Sequence, residues 1–82
     1  MRVGDRVRIK KLSPSEGWTN WFIAAASYQI GVITEIDIDS DYPYYVKLDK
    51  IAKHGNHSFQ SESFKEYEIE PYHTKANNRD DD

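Results

Sequence analysis

Residues 37–49 read "DIDSDYPYYVKLD". Asp37, Asp39 and Asp41 stand at every second position, as at the opening of a calcium loop. An EF-hand loop requires Gly at its sixth position and a bidentate Glu at its twelfth. Counted from Asp37, those positions hold Tyr42 and Leu48, so the calcium reading fails. The alternative is a β-hairpin rim. Ser40 and Asp41 supply turn-forming side chains, and Pro43 presets φ. "YYVKLD" then alternates as a strand, with Tyr44, Val46 and Leu48 on one face and Tyr45, Lys47 and Asp49 on the other.

Working outward, "IGVITEIDID" ends at this rim and reads as the preceding strand. Val32, Thr34, Ile36 and Ile38 alternate with Ile33, Glu35, Asp37 and Asp39. Ile33 falls on the acidic face, which predicts a bulge near Gly31–Ile33. At the N-terminus, Val7 and Ile9 share one face of "RVGDRVRIKKL", while Arg6, Arg8 and Lys10 share the other. If these two strands are neighbours, the basic face meets Glu35, Asp37 and Asp39. Exposed cross-strand pairs of that kind contribute about 0.2–1 kcal/mol each.

Downstream, "KIAKHGNH" reads as a polar turn centred on Gly55-Asn56. "SFQSESF" reads as a fourth strand around Phe59, and "KEYEIEPYH" as a tight turn followed by a short closing strand with Ile69 inward. Pro71 suits an edge position there. Between the first two strands, residues 10–29 form a long loop opened by Ser13-Pro14 and Gly17. Asn20 is placed to cap a short helix through Ala24–Ala26, with Trp21, Ala25 and Tyr28 sharing a face. From Thr74 onward "TKANNRDDD" has too little apolar content to pack. The domain reading is therefore a β domain over residues 1–73 and a disordered acidic tail over 74–82.

Composition narrows the function. The chain has 82 residues, one domain's worth, and buries only about 60–65% of its unfolded surface. It has no cysteine, which excludes disulfides and thiolate metal sites and suits a reducing, cytoplasmic setting. "MRVGDRVRIKKL" lacks the apolar core of a signal peptide, and the longest largely apolar run, "WFIAAASYQIGVIT", is too short to span a bilayer. Net charge is −3. Setting aside Arg79 and Asp80–Asp82 leaves 10 basic against 11 acidic residues. That near balance argues against non-specific DNA binding, which needs a basic surplus. His54, His57 and His73 are too few and too scattered for a zinc site. No serine sits in a Gly-x-Ser-x-Gly setting, and no Gly-rich phosphate loop is present. Neither an enzyme nor a cofactor is expected.

The strand segments "VGDRVRI", "GVITEI", "YYVKLD" and "YEIEPY" together resemble Src-homology-3-like small barrels, in the branch of KOW and Tudor-type modules. There a G-D-x-V-x-I strand precedes a G-x-x-x-x-I strand, a Val-Lys, Leu-Asp strand follows, and an E-x-E-P segment closes the barrel. The match spans most of residues 3–72. It implies an all-β, five-stranded SH3-like barrel with a long loop, carrying a short helix, between strands one and two. Small barrels of this appearance occur among small bacterial and phage proteins. The acidic-aromatic run of signalling SH3 domains is absent, and residues 10–29 are longer than a compact KOW loop.

The expected function is a non-enzymatic binding module whose partner is another protein. The site residues are Trp18, Trp21 and Phe22 of the loop, with Asp41, Tyr42, Tyr44 and Tyr45 of the hairpin rim. Exposed aromatics of this kind anchor interfaces. The resemblance to Tudor-like barrels adds the image of an aromatic cage from Trp18, Trp21, Tyr42, Tyr44 and Tyr45 closed by Asp41, which attracts cations. The alternatives are nucleic-acid binding through Arg2, Arg6, Arg8, Lys10 and Lys11, with tyrosines stacking on bases, and acidic mimicry of a nucleic acid.

Overall fold

The computed structural model describes residues 1–73; the tail reading of residues 74–82 lies outside the described residues. Five strands form one antiparallel sheet: β1 (Arg6–Ile9), β2 (Ile30–Ile36), β3 (Tyr44–His54), β4 (His57–Phe64) and β5 (Ile69–Pro71). Their order is β4-β3-β2-β1-β5. One helix, α1 (Asn20–Ala26), and two 3₁₀ turns, Pro14–Glu16 and Glu66–Glu68, complete the described chain. The ladder is not closed into a barrel: β4 and β5 are its two ends, joined in sequence by the second 3₁₀ turn.

One core holds these elements. Val7 and Ile9 of β1, Ile33 of β2, Val46, Leu48 and Ala52 of β3, Phe64 of β4 and Ile69 of β5 are buried together with Leu12 and with Phe22, Ala25 and Ala26 of α1. Period-2 alternation in β1 and β3 sends these side chains to one face and Arg6, Arg8, Lys47 and Asp49 to the other. Complete burial of a side chain such as Phe64 stabilises by about 1.5–3 kcal/mol.

The bulge in β2 falls one residue later than the alternation predicts. Pairing with β3 shifts between Ile33 (opposite Val46) and Glu35 (opposite Tyr45). An extra residue restores parity, so that Ile33 and Ile36, three apart, both reach the core side. Gly31 lies opposite Leu48, where a Cβ would collide with the Lys47 carbonyl oxygen. No larger residue fits that approach without moving backbone.

Other boundaries also move. β2 stops at Ile36, and Asp37–Pro43 is a turn rather than strand. The Asp37 carboxylate accepts the Asp39 N–H at 3.1 Å, its N–H donates to the Pro43 carbonyl at 2.8 Å, and Ser40 Oγ accepts the Tyr42 N–H. Two of the three aspartates that suggested a metal loop thus take part in an Asx-type turn. The polar turn after β3 shrinks to Gly55-Asn56, since β3 and β4 pair through to His54 and His57. Gly55 has φ +62°, as the first central residue of a type II′ hairpin requires.

The helix exists, but Asn20 is its first residue and Thr19 holds the N-cap position without a side-chain bond. Its buried face is Phe22, Ala25 and Ala26, not Trp21, Ala25 and Tyr28. The chain leaves the helix at Tyr28 with φ +71°, which turns that ring to solvent while its N–H donates to the Ile9 carbonyl at 2.7 Å. Helical periodicity cannot be carried past that reversal.

Candidate functional site

The aromatic residues of the 10–29 segment divide into three roles. Phe22 is core: it stacks on Trp18 at 4.7 Å and on Phe59 at 4.5 Å between ring centroids. Trp21 is half-buried beyond it and stacks on His57 at 4.3 Å with the planes 12° apart. Trp18 is half-buried at the mouth of the core, 5.6 Å from Phe64 and edge-on to Tyr42 at 5.9 Å and 72°.

Trp18 is held there by a residue that alternation does not single out. Glu68 is 5% exposed, the one charged residue buried among those described. Its Oε2 accepts the Trp18 indole N–H at 2.7 Å and its Oε1 accepts the Lys65 N–H at 2.7 Å. The second bond ties the carboxylate to the start of the 3₁₀ turn that carries it. The first ties the long loop to that turn. Both carboxylate oxygens are satisfied, as a buried charge requires. The only signal for Glu68 in the sequence is its place in the E-x-E-P segment, which marks a strand entry and not a buried carboxylate.

Beside Trp18 lies an open pocket of about 200 Å³, lined by Glu16, Gly17, Trp18, Tyr42, Glu62 and Ser63. Its walls come from the first 3₁₀ turn, the residue before Pro43 and the C-terminal half of β4. Glu16 also accepts the Tyr67 hydroxyl at 2.7 Å. That hydrogen bond, followed by loss of hydration and the Glu16 charge, pushes the Tyr67 phenol up from its ordinary 10 to about 12. Lys65 Nζ stands 5.2 Å from the centre of the Tyr42 ring, within cation–π range, without lining the pocket.

The proposed cage does not assemble as a unit. Trp18 and Tyr42 meet, but Trp21 is engaged with His57. Tyr44 packs against the core, and Tyr45, the next residue on the strand, is exposed on the opposite face across from Glu35. Asp41 is exposed in the turn.

The basic strand is also differently engaged. Arg6 and Asp49 pair through the two terminal guanidinium nitrogens, Nη2 at 2.8 Å and Nη1 at 3.1 Å, and Arg8 pairs with Glu70 at 2.8 Å. The expected partners Glu35, Asp37 and Asp39 are out of reach for a geometric reason. Antiparallel register sets Arg6 against Val32 and Arg8 against Ile30, which carries Glu35 past the start of β1. Arg2, Lys10 and Lys11 are exposed.

Among the described residues no three His, Cys, Asp or Glu side chains are grouped to hold a metal ion, and no helix is long and apolar enough to cross a membrane. Comparison with protein-family models, with curated proteins and with solved structures finds no match to this chain.

Proposed function

We propose that this chain is a non-enzymatic protein-binding module of SH3-like architecture, and that Trp18, Tyr42, Glu16 and Glu62 form its contact site. The strand order, the tight turn and the very short last strand support the architectural reading, as does the position of the long segment between β1 and β2. The observation that carries the functional reading is the meeting of Trp18 and Tyr42. Two rings 24 positions apart stand at 72° to one another beside two carboxylates in one open pocket. Large amphipathic rings in a partly desolvated setting are what protein interfaces use as anchors. Lack of cysteine suits a reducing, cytoplasmic setting.

The nucleic-acid reading has less to draw on. Two of its five cations, Arg6 and Arg8, are engaged by carboxylates, and the pocket beside the rings is acidic, which repels phosphate. The mimic reading loses Asp49 and Glu70 to the same pairs.

The test is capture of partners from a native extract by the wild-type chain and by Tyr42→Ala and Glu62→Gln, with and without nuclease. These substitutions leave the Trp18–Glu68 bond in place. A protein that is retained by wild type after nuclease and released by both variants is the expected result. Capture that both variants keep, or that nuclease abolishes, would refute the reading.

A further inference from the structure

The site continues along an unpaired sheet edge. β4 ends the strand order, and among the described residues nothing pairs with its outer side. Exposed edges are normally blunted by Lys, Pro, bulges or brevity. The other edge follows this rule, because β5 has three residues and ends in Pro71. β4 is eight residues long, "HSFQSESF", and contains no Lys, Arg or Pro. Its ladder to β3 is interrupted between Lys47 and Ala52, so the edge offers two regularly paired stretches, His57–Phe59 and Ser61–Phe64, that a strand could join.

The pocket reaches that edge. It lies against two successive residues of the edge strand, Glu62 and Ser63, whose side chains point to opposite faces. β3 covers the inner side, where Glu62 lies opposite Val46 and Ser63 opposite Tyr45.

Charge identifies what the edge would take. Glu16 and Glu62 line the pocket, and the ion pairs among the described residues are Arg6–Asp49 and Arg8–Glu70, so neither glutamate is matched by a cation. The two rings add electron-rich faces beside these carboxylates, although Lys65 Nζ already stands 5.2 Å from the centre of the Tyr42 ring.

We propose that the partner segment is an extended, basic peptide that adds as a sixth strand to the outer edge of β4, with one Lys or Arg side chain turned into the Trp18–Tyr42 pocket. Main-chain hydrogen bonds along β4 hold the segment, and the pocket selects the side chain. This rests on the functional reading above and adds the conformation and charge of what is bound. Because side chains of an added strand repeat every second residue, β-branched residues two positions either side of the basic one complete the expected pattern.

The test begins with a random seven-residue peptide library displayed on phage and selected against the full chain. Enrichment of one Lys or Arg among strand-forming residues is expected. The selected peptide is then synthesised with single backbone N-methyl groups at each position in turn. Methylation at alternate positions should weaken binding at least tenfold and leave the intervening positions unaffected. Hydrogen exchange at β4 amides should slow on binding, and Tyr42→Ala and Glu62→Gln should each weaken binding at least fivefold. Binding that needs Tyr42 but tolerates N-methylation everywhere overturns strand addition and leaves the contact site standing. Binding indifferent to both Tyr42 and Glu62 overturns the contact site as well. No basic enrichment, or β4 amides already protected by self-association, overturns the inference.

Discussion

Replacing Trp18 by Phe isolates the link between the long loop and the second 3₁₀ turn. Phe keeps a ring to stack on Phe22 and to face Phe64, now 4.7 and 5.6 Å away, but removes the indole N–H. Glu68 Oε2 then loses its donor while remaining buried. A hydrogen bond to a charged group contributes about 1.5–3 kcal/mol, and leaving a buried acceptor unmatched brings the loss toward the upper end. The smaller ring adds a partial cavity, reduced because Trp18 is only half-buried. A total of about 2–3 kcal/mol is expected from an 82-residue domain whose whole stability is on the order of 4–12 kcal/mol. Urea unfolding followed by circular dichroism should show the midpoint fall by roughly 1–2 M at unchanged slope. A double-mutant cycle with Glu68→Gln should give a coupling of at least about 1 kcal/mol. A loss under about 0.5 kcal/mol, or the same loss whether or not the Glu68→Gln substitution is also present, would show that the bond does not anchor the loop.

Two further predictions concern the sheet and the surface. Gly31→Ala should destabilise by at least about 1–3 kcal/mol, since its Cβ collides with the Lys47 carbonyl oxygen and meets Val46 Cγ1 at 2.9 Å; urea unfolding measures it, and a neutral result would mean that β2 and β3 can separate locally. Tyr67 should ionise near pH 12, with Glu16→Gln returning it toward 10, as read by phenolate absorbance in Tyr67→Phe difference titrations. Because the folded value is raised, the Tyr67–Glu16 bond stabilises fully below the unfolded value of about 10, and that contribution fades as pH rises through about 12. A Tyr67 titration near 10 in the wild-type chain would refute the bond.

Much of the scaffold was legible in local pattern. Val7 and Ile9, Val46 and Leu48, and Ile69 announce their inward faces by alternation, and the odd parity of Ile33 announces a bulge. Turn chemistry centred the β3–β4 connection on Gly55-Asn56, but it stopped β3 at Asp49, short of the His54 where the strand ends. Less was legible of the candidate site. Trp18, Phe22 and Tyr42 were named as one group, but nothing in their spacing distinguishes core, pocket wall and rim. Glu68 looked like one more surface carboxylate. Glu16 and Glu62 had no pattern to mark them at all.

The division has a physical cause. The amino-acid sequence by itself determined what depends on neighbours along the chain: which residues alternate, where Gly and Pro interrupt, and that an 82-residue chain without cysteine must rely on one small apolar core. Only the tertiary structure decided what depends on register between distant strands. That register set Arg6 against Asp49 and Arg8 against Glu70 instead of the acidic run beside β2. It also brought residue 18 to residues 42 and 68, where a shielded carboxylate holds one of two rings set edge to face in the candidate site. Hydrogen bonds and ring contacts act over a few ångströms in space, and separation along the chain does not report that distance until the sheet has formed.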